Sequence, residues 1–76
     1  MKYELNDTVV LLSDLANHEL KAGDIGAVVH IYSDDAVEVE FVTASGRTAA
    51  LVTLPASDVR AMTDSDRMTV RSVASR

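Results

Sequence analysis

The sequence predicts a single all-β domain, built as a small barrel or sandwich. Short segments rich in aliphatic and β-branched residues recur at a spacing of roughly ten residues, and turn-forming residues separate them. No long amphipathic helical pattern lies between these segments. A chain of 76 residues is long enough for one modest core, and it leaves little room for a deep substrate cleft.

The first predicted strand is the run Thr8–Leu12, which is aliphatic and β-branched. A long polar loop follows over residues 13–23, and we expect Leu15 and Leu20 to anchor it on the core. Ser13 is suited to cap a single helical turn near the start of this loop.

A turn with two glycines precedes the second predicted strand, Ala27–Tyr32. Gly23 and Gly26 can both adopt positive φ, and Asp24 can accept hydrogen bonds from nearby backbone donors. A β-bulge in this strand would change which side chains point inward. The residues whose burial depends on that bulge are Val28, Val29 and Ile31.

The third predicted strand, Ala36–Thr43, has the clearest pattern in the chain. Its apolar and acidic residues alternate with a period of two, which is typical of a strand with one buried side. The predicted inward residues are Val37, Val39 and Phe41, and the predicted exposed residues are Glu38 and Glu40.

The remaining elements follow in short succession. A hairpin turn over residues 44–47 leads into a return strand, Thr48–Leu54. Pro55 ends that strand in a predicted 3₁₀ turn, and Val59–Met62 is the closing strand. We divide the chain into a barrel over residues 1–63 and a C-terminal extension over residues 64–76, whose pattern is ambiguous.

The composition excludes several kinds of site. The chain has no cysteine, so disulfide scaffolds, thiolate zinc sites and cysteine nucleophiles are excluded. Because a secreted domain of this size would often need disulfides, we expect a cytoplasmic protein. Residues 1–7 lack the apolar core of a signal peptide, and no apolar run approaches the about 20 residues that span a bilayer. We expect no membrane partner.

The net charge of −5 is unevenly distributed. Residues 1–46 contain two lysines and nine acidic residues, whereas residues 47–76 contain five arginines and three aspartates. The first part would repel a phosphate backbone, and the arginines of the second part are spread singly. We therefore expect no nucleic-acid binding and favour a partner protein with a basic surface.

The order Gly-Asp-x-Gly-x-Val at residues 23–28 resembles the second strand of SH3-like barrels, including the KOW type. Together with residues 37–41, Gly46 and residues 54–60, the chain from Leu5 to Met62 resembles the bacterial family called domain of unknown function 4926. The resemblance implies an SH3-like barrel. With the strand pattern above, we predict a five-stranded SH3-like barrel with a long first loop and a short C-terminal extension. It implies no catalytic residues.

The candidate chemical groups are few. His18 lies near Asp14 and Glu19, but a single nitrogen ligand without His-x-x-x-His spacing favours an exposed loop histidine over a metal site. No nucleophile elbow, phosphate loop or calcium loop occurs. We predict no catalytic, cofactor-binding or metal-binding residues, and no cofactor.

Four acidic residues lie within seven positions, with no lysine or arginine between them. This acidic segment comprises Asp34, Asp35, Glu38 and Glu40. One interpretation is a solvated surface that keeps a small protein soluble. The other is a docking surface for a basic protein, by strand addition or in a groove. His30 joins the predicted protein-binding residues, as a half-buried strand residue or a pH-sensitive contact beside Tyr32.

These observations predict a non-catalytic protein-interaction module of a bacterium, with an accessory or antitoxin-like role. A KOW-like nucleic-acid or ribosome-associated module is an alternative, and the acidic charge counts against it. A non-catalytic subunit that completes a partner enzyme's site is another. Association into a homo-oligomer is compatible with each of them.

Overall fold

The structure, a computed structural model, describes residues 3–42 and 48–65, without the side chains of residues 48 and 49. It contains five strands in one antiparallel sheet. In chain order they are β1 (Thr8–Leu11), β2 (Ile25–Ser33), β3 (Ala36–Val42), β4 (Thr48–Pro55) and β5 (Val59–Ala61). The predicted hairpin turn at residues 44–47 and residues 66–76 of the predicted extension lie outside the described residues, so the domain boundary stays a prediction.

The sheet has the strand order β4-β3-β2-β1-β5. Strands β1 to β4 therefore form a meander, and β5 returns to pair with β1 on the far side. A 3₁₀ turn, Ala56–Asp58, separates β4 from β5, where a 3₁₀ turn was predicted. This all-β arrangement fits the predicted small SH3-like barrel.

Strand β3 contributes three adjacent inward side chains to the core, as predicted. Val37, Val39 and Phe41 are each at most 1% exposed. The core cluster also contains residues from every other strand and from the long loop. Its buried members are Tyr3, Val9, Leu11, Leu20, Val28, Val37, Val39, Phe41, Val52, Leu54 and Val59.

Strand β2 contains the bulge on which its inward residues depend. Its register against β3 shifts between Val28 and His30, and again between Ile31 and Ser33. Val29 is the extra residue and is 38% exposed, whereas Val28 is fully buried and Ile31 packs against the core. In a regular strand the side chain of residue 30 would point inward like that of residue 28. The extra residue at the bulge reverses the inward and outward positions from there on, so that His30 points outward and Ile31 inward.

The two glycines before β2 have different roles, and only Gly23 uses the positive φ that glycine permits. Gly23 has a φ of +96° in the turn. Gly26 has no positive φ and is a buried strand residue. A Cβ atom there would lie 2.6 Å from Cγ1 of Val39 and 2.9 Å from Cδ1 of Phe41. Gly26 is therefore required by close packing against β3.

The long loop folds back on itself as a small hairpin. Leu15 and Leu20 form an isolated antiparallel bridge, and Leu20 is 4% exposed, which confirms both predicted anchors. Oδ1 of Asp14 accepts a hydrogen bond from the Ala22 amide, and Oδ2 of Asp24 accepts one from the Lys21 amide, both at 2.9 Å. These two carboxylates close the loop.

The helical turn in this loop differs from the prediction. It is a 3₁₀ turn over Ala16–His18, its N-cap residue is Leu15, and no side chain caps it. Ser13 therefore has no capping role, because the Leu15–Leu20 bridge shifts the start of the turn towards the loop tip.

None of the residues that the structure describes belongs to a helix with the length and apolar character that crossing a bilayer requires.

We predict that Phe41→Ala lowers the free energy of unfolding by about 3–5 kcal/mol, because the ring fills the centre of the core. The matched control is Val42→Ala at the next position, where the side chain is 50% exposed. This control is expected to change stability by about 0.5 kcal/mol or less. Urea unfolding of both variants measures the difference, and similar losses would contradict the register of β3.

Candidate functional site

All five predicted protein-binding residues lie on the hairpin that β2 and β3 form. His30 is on β2, Glu38 and Glu40 are on β3, and Asp34–Asp35 is the turn that joins the strands. The turn is tight, since Ser33 and Ala36 are paired across it. The amide of Asp35 donates a hydrogen bond to Oγ of Ser33 at 3.1 Å.

Glu38 and Glu40 lie on the outer side of the sheet, opposite the inward face of β3, but they are half-buried and not exposed as predicted. The reason is their position on a strand with a neighbour on each side. Glu38 is paired with His30 and Thr53, and Glu40 with Ala27 and Leu51. Side chains on the flanking strands cover the stems of the glutamates.

His30 lies directly across from Glu38 and is exposed, so the predicted half-burial was wrong. The bulge at Val29 brings it to the outer side. Its ring packs edge-to-face against Tyr32, with 4.4 Å between the ring centroids and 68° between the planes. Tyr32 is 55% exposed, so an aromatic ring beside His30 faces solvent.

The aspartates of the turn face a different region. Asp34 and Asp35 line an open groove of about 480 Å³, together with Tyr3, Pro55 and the second 3₁₀ turn. The carbonyl of Asp35 accepts a hydrogen bond from the Ala56 amide at 2.8 Å, which ties the turn to the end of β4. The acidic segment therefore divides between a groove at the end of the hairpin and the outer side of the sheet.

The outer side also contains exposed apolar residues that the sequence pattern did not predict. Leu51 is 57% exposed on β4 and lies across from Glu40. The run Leu51-Val52 gave no alternation from which its orientation could be predicted. The pairing of β4 with β3 decides it, since Val52 is buried and Leu51 is not.

A second open groove, of about 400 Å³, separates the long loop from β4. Apolar atoms of Leu15, Val52 and Leu54 lie along it, and Asp14 and His18 line the loop side. His18 is exposed, as predicted. Within residues 3–42 and 48–65, no group of three or more metal-ligating side chains comes together.

The model of the family described as domain of unknown function (DUF4926) matches residues 5–61. The chain belongs to this family. The match confirms the predicted resemblance and covers β1 to β5, including the long loop. No curated protein and no solved structure matches the chain significantly.

Tyr3 of the DUF4926 domain borders the groove of about 480 Å³ and links the N-terminal segment to β5. Its hydroxyl donates a hydrogen bond to the Val59 carbonyl at 3.1 Å. Burial raises the pKa of Tyr3 above 10.0, and the carboxylate of Asp7 raises it further. Just above pH 10.0, the Tyr3 hydroxyl therefore stays protonated in the folded domain, whereas the same hydroxyl is ionised in the unfolded chain. Its contribution to stability is complete below pH 10.0 and is lost as the pH rises through the folded value.

We predict that Tyr3→Phe lowers stability by about 0.5–1.5 kcal/mol at neutral pH, because the Val59 carbonyl loses its donor. The variant is also expected to lose less stability than the wild type above pH 10.0, since the raised pKa is gone. Thermal melts at several alkaline pH values measure both effects. Tyr32→Phe, at an exposed ring, is the control, and identical alkaline slopes for wild type and Tyr3→Phe would contradict the prediction.

Proposed function

We propose that this DUF4926 domain is a non-catalytic interaction module that docks a basic protein on the acidic β2–β3 hairpin. The observation that carries the proposal is the position of Glu38 and Glu40. Both lie on the outer side of β3: His30, which contacts the ring of Tyr32, is across from Glu38, and the exposed side chain of Leu51 is across from Glu40. Carboxylates beside exposed apolar surface suit recognition of Lys and Arg, whose stems are apolar and whose ends are charged.

The charge distribution supports a basic partner. The chain contains twelve acidic and seven basic residues, and residues 1–46 hold nine of the acidic residues against two lysines. An excess of negative charge on a small domain accelerates encounter with a partner of opposite sign. Such a partner would meet the hairpin first at its end, where Asp34 and Asp35 are exposed.

The burial pattern supports a non-catalytic role. Among the described residues, no charged side chain is buried. The two grooves described above are open and lined in part by loop residues. An accessory or antitoxin-like role, in which the domain covers a basic surface of another protein, fits these features.

We predict that Glu38→Lys combined with Glu40→Lys weakens capture of the partner from a host lysate, and a thermal melt verifies that these half-buried substitutions leave the domain folded. The control is Glu4→Lys combined with Glu19→Lys, which makes the same change in net charge at exposed positions outside the hairpin. Quantitative pull-downs at low and high salt measure the effect. Capture should fall with rising salt for the wild type, and equal capture by all three proteins would overturn the proposal.

We also predict no tight complex with duplex DNA or RNA near physiological salt. The acidic first part of the chain opposes the counterion release on which such binding depends. A fluorescence-anisotropy titration across several salt concentrations measures this. Submicromolar binding with a steep salt dependence would favour the KOW-like function instead.

A further inference from the structure

Among the strands that the structure describes, β4 lies at one edge of the sheet and has β3 as its only neighbour. The direction in which the backbone groups of β4 point can be traced from Val28 of β2, across β3, to β4. The starting point is the hydrogen bonds of Val28. The Val28 amide donates to the Asp7 carbonyl at 2.9 Å, and the Val28 carbonyl accepts from the Asn6 amide at 2.7 Å. Because a strand residue directs both groups to the same side, Val28 does not bond to β3.

The same alternation extends to β4. Val28 is paired with Val39, so the backbone groups of Val39 point the other way and bond to Val52 of β4. Every second residue of β4 shares the orientation of Val52, namely Ala50 and Leu54. The backbone amides and carbonyls of Leu51 and Thr53 therefore point away from the sheet.

This part of the edge is open and short. Among the described residues, no backbone hydrogen bond joins Leu51 or Thr53 to a segment beyond the edge. Pro55, the next residue with the same orientation, has no amide hydrogen and ends the open stretch. An unpaired edge of this kind is a template for an added strand.

The two sides of the open edge differ in chemistry. On the outer side, Leu51 lies across from Glu40, and Thr53 lies across from Glu38. On the inner side, Val52 borders the groove of about 400 Å³ between β4 and the long loop. A strand added at this edge would have alternate side chains above the glutamates and in the groove.

We propose that an extended segment of the basic partner adds antiparallel to β4, with Lys or Arg opposite Leu51 and Thr53 and an apolar residue opposite Val52. This rests on the proposed function and names its mode of binding. The added strand would lie about 10 Å from β3, two strand spacings away. The long stems of Lys or Arg cover Leu51 and Thr53 and bring the charged ends to the glutamates. The central apolar side chain enters the groove beside Leu15.

The probe is the amidated peptide Lys-Val-Lys-Val-Lys-Val-Lys, with two N-methylated forms. One is methylated on its Lys amides, which face β4 in the proposed register. The other is methylated on its Val amides, which face solvent. We expect methylation of the Lys amides to weaken binding about tenfold or more, since several backbone hydrogen bonds are lost. Methylation of the Val amides should change affinity by less than about threefold, since those amides make no bond to β4. Calorimetric titration gives the affinities.

Hydrogen exchange locates the contact. The unmethylated peptide should slow exchange of the Leu51 and Thr53 amides, whereas the Val52 amide already bonds within the sheet. Thr53→Pro removes one edge amide and should reduce affinity, while Thr53→Ala keeps the amide and should not. Retention of the native melt shows that the variant has folded, and the methylated peptides test the same bond if Thr53→Pro fails to fold.

The outcomes separate the two proposals. Equal affinity of all three peptides, combined with weaker binding to the protein carrying Glu38→Lys and Glu40→Lys, overturns strand addition and leaves acidic docking in place. Unchanged binding to the charge-reversed protein overturns both. Protection of Leu51 and Thr53 that depends on protein concentration, without peptide, assigns the edge to a second copy of the chain and overturns the partner segment.

Discussion

The inward row of β3 is the constraint on which the rest of the structure depends. Val37, Val39 and Phe41 are each at most 1% exposed, and β3 pairs with β2 on one side and with β4 on the other. Their burial decides which side of both neighbours is inside. Strand β2 has no side chain at residue 26 because the ring of Phe41 and the methyl group of Val39 occupy that space. The bulge at Val29 then returns Ile31 to the core.

The same constraint produces the outer surface. Because successive side chains of a strand point to opposite faces, the burial of Val37, Val39 and Phe41 places Glu38 and Glu40 on the outer side. The bulge moves His30 to that side as well, directly across from Glu38. Acidic, aromatic and aliphatic groups thus meet on a surface whose layout is set by packing beneath it. Substitutions of the exposed residues on this surface are therefore expected to change stability little.

The long loop and the β4 edge complete this arrangement. Leu15 and Leu20 attach the loop to the core, while Asp14 and Asp24 satisfy backbone amides where the loop closes. The loop consequently runs beside β4 and forms one wall of a groove. The edge residues Leu51 and Thr53 present backbone groups between this wall and the glutamates. The β4 edge therefore has open backbone groups, neighbouring carboxylates and an apolar groove close together.

The sequence by itself determined the all-β class, the order of the strands along the chain and the inward row of β3. Each of these depends on local alternation and turn residues, which are visible without neighbours. Only the tertiary structure decided the inward residues of β2, the half-burial of Glu38 and Glu40, the role of Gly26 and the open edge of β4. These features depend on which strand lies alongside. Pairing across the sheet joins residues far apart in sequence, and neither the bulge at Val29 nor the run Leu51-Val52 shows its partner in the linear pattern.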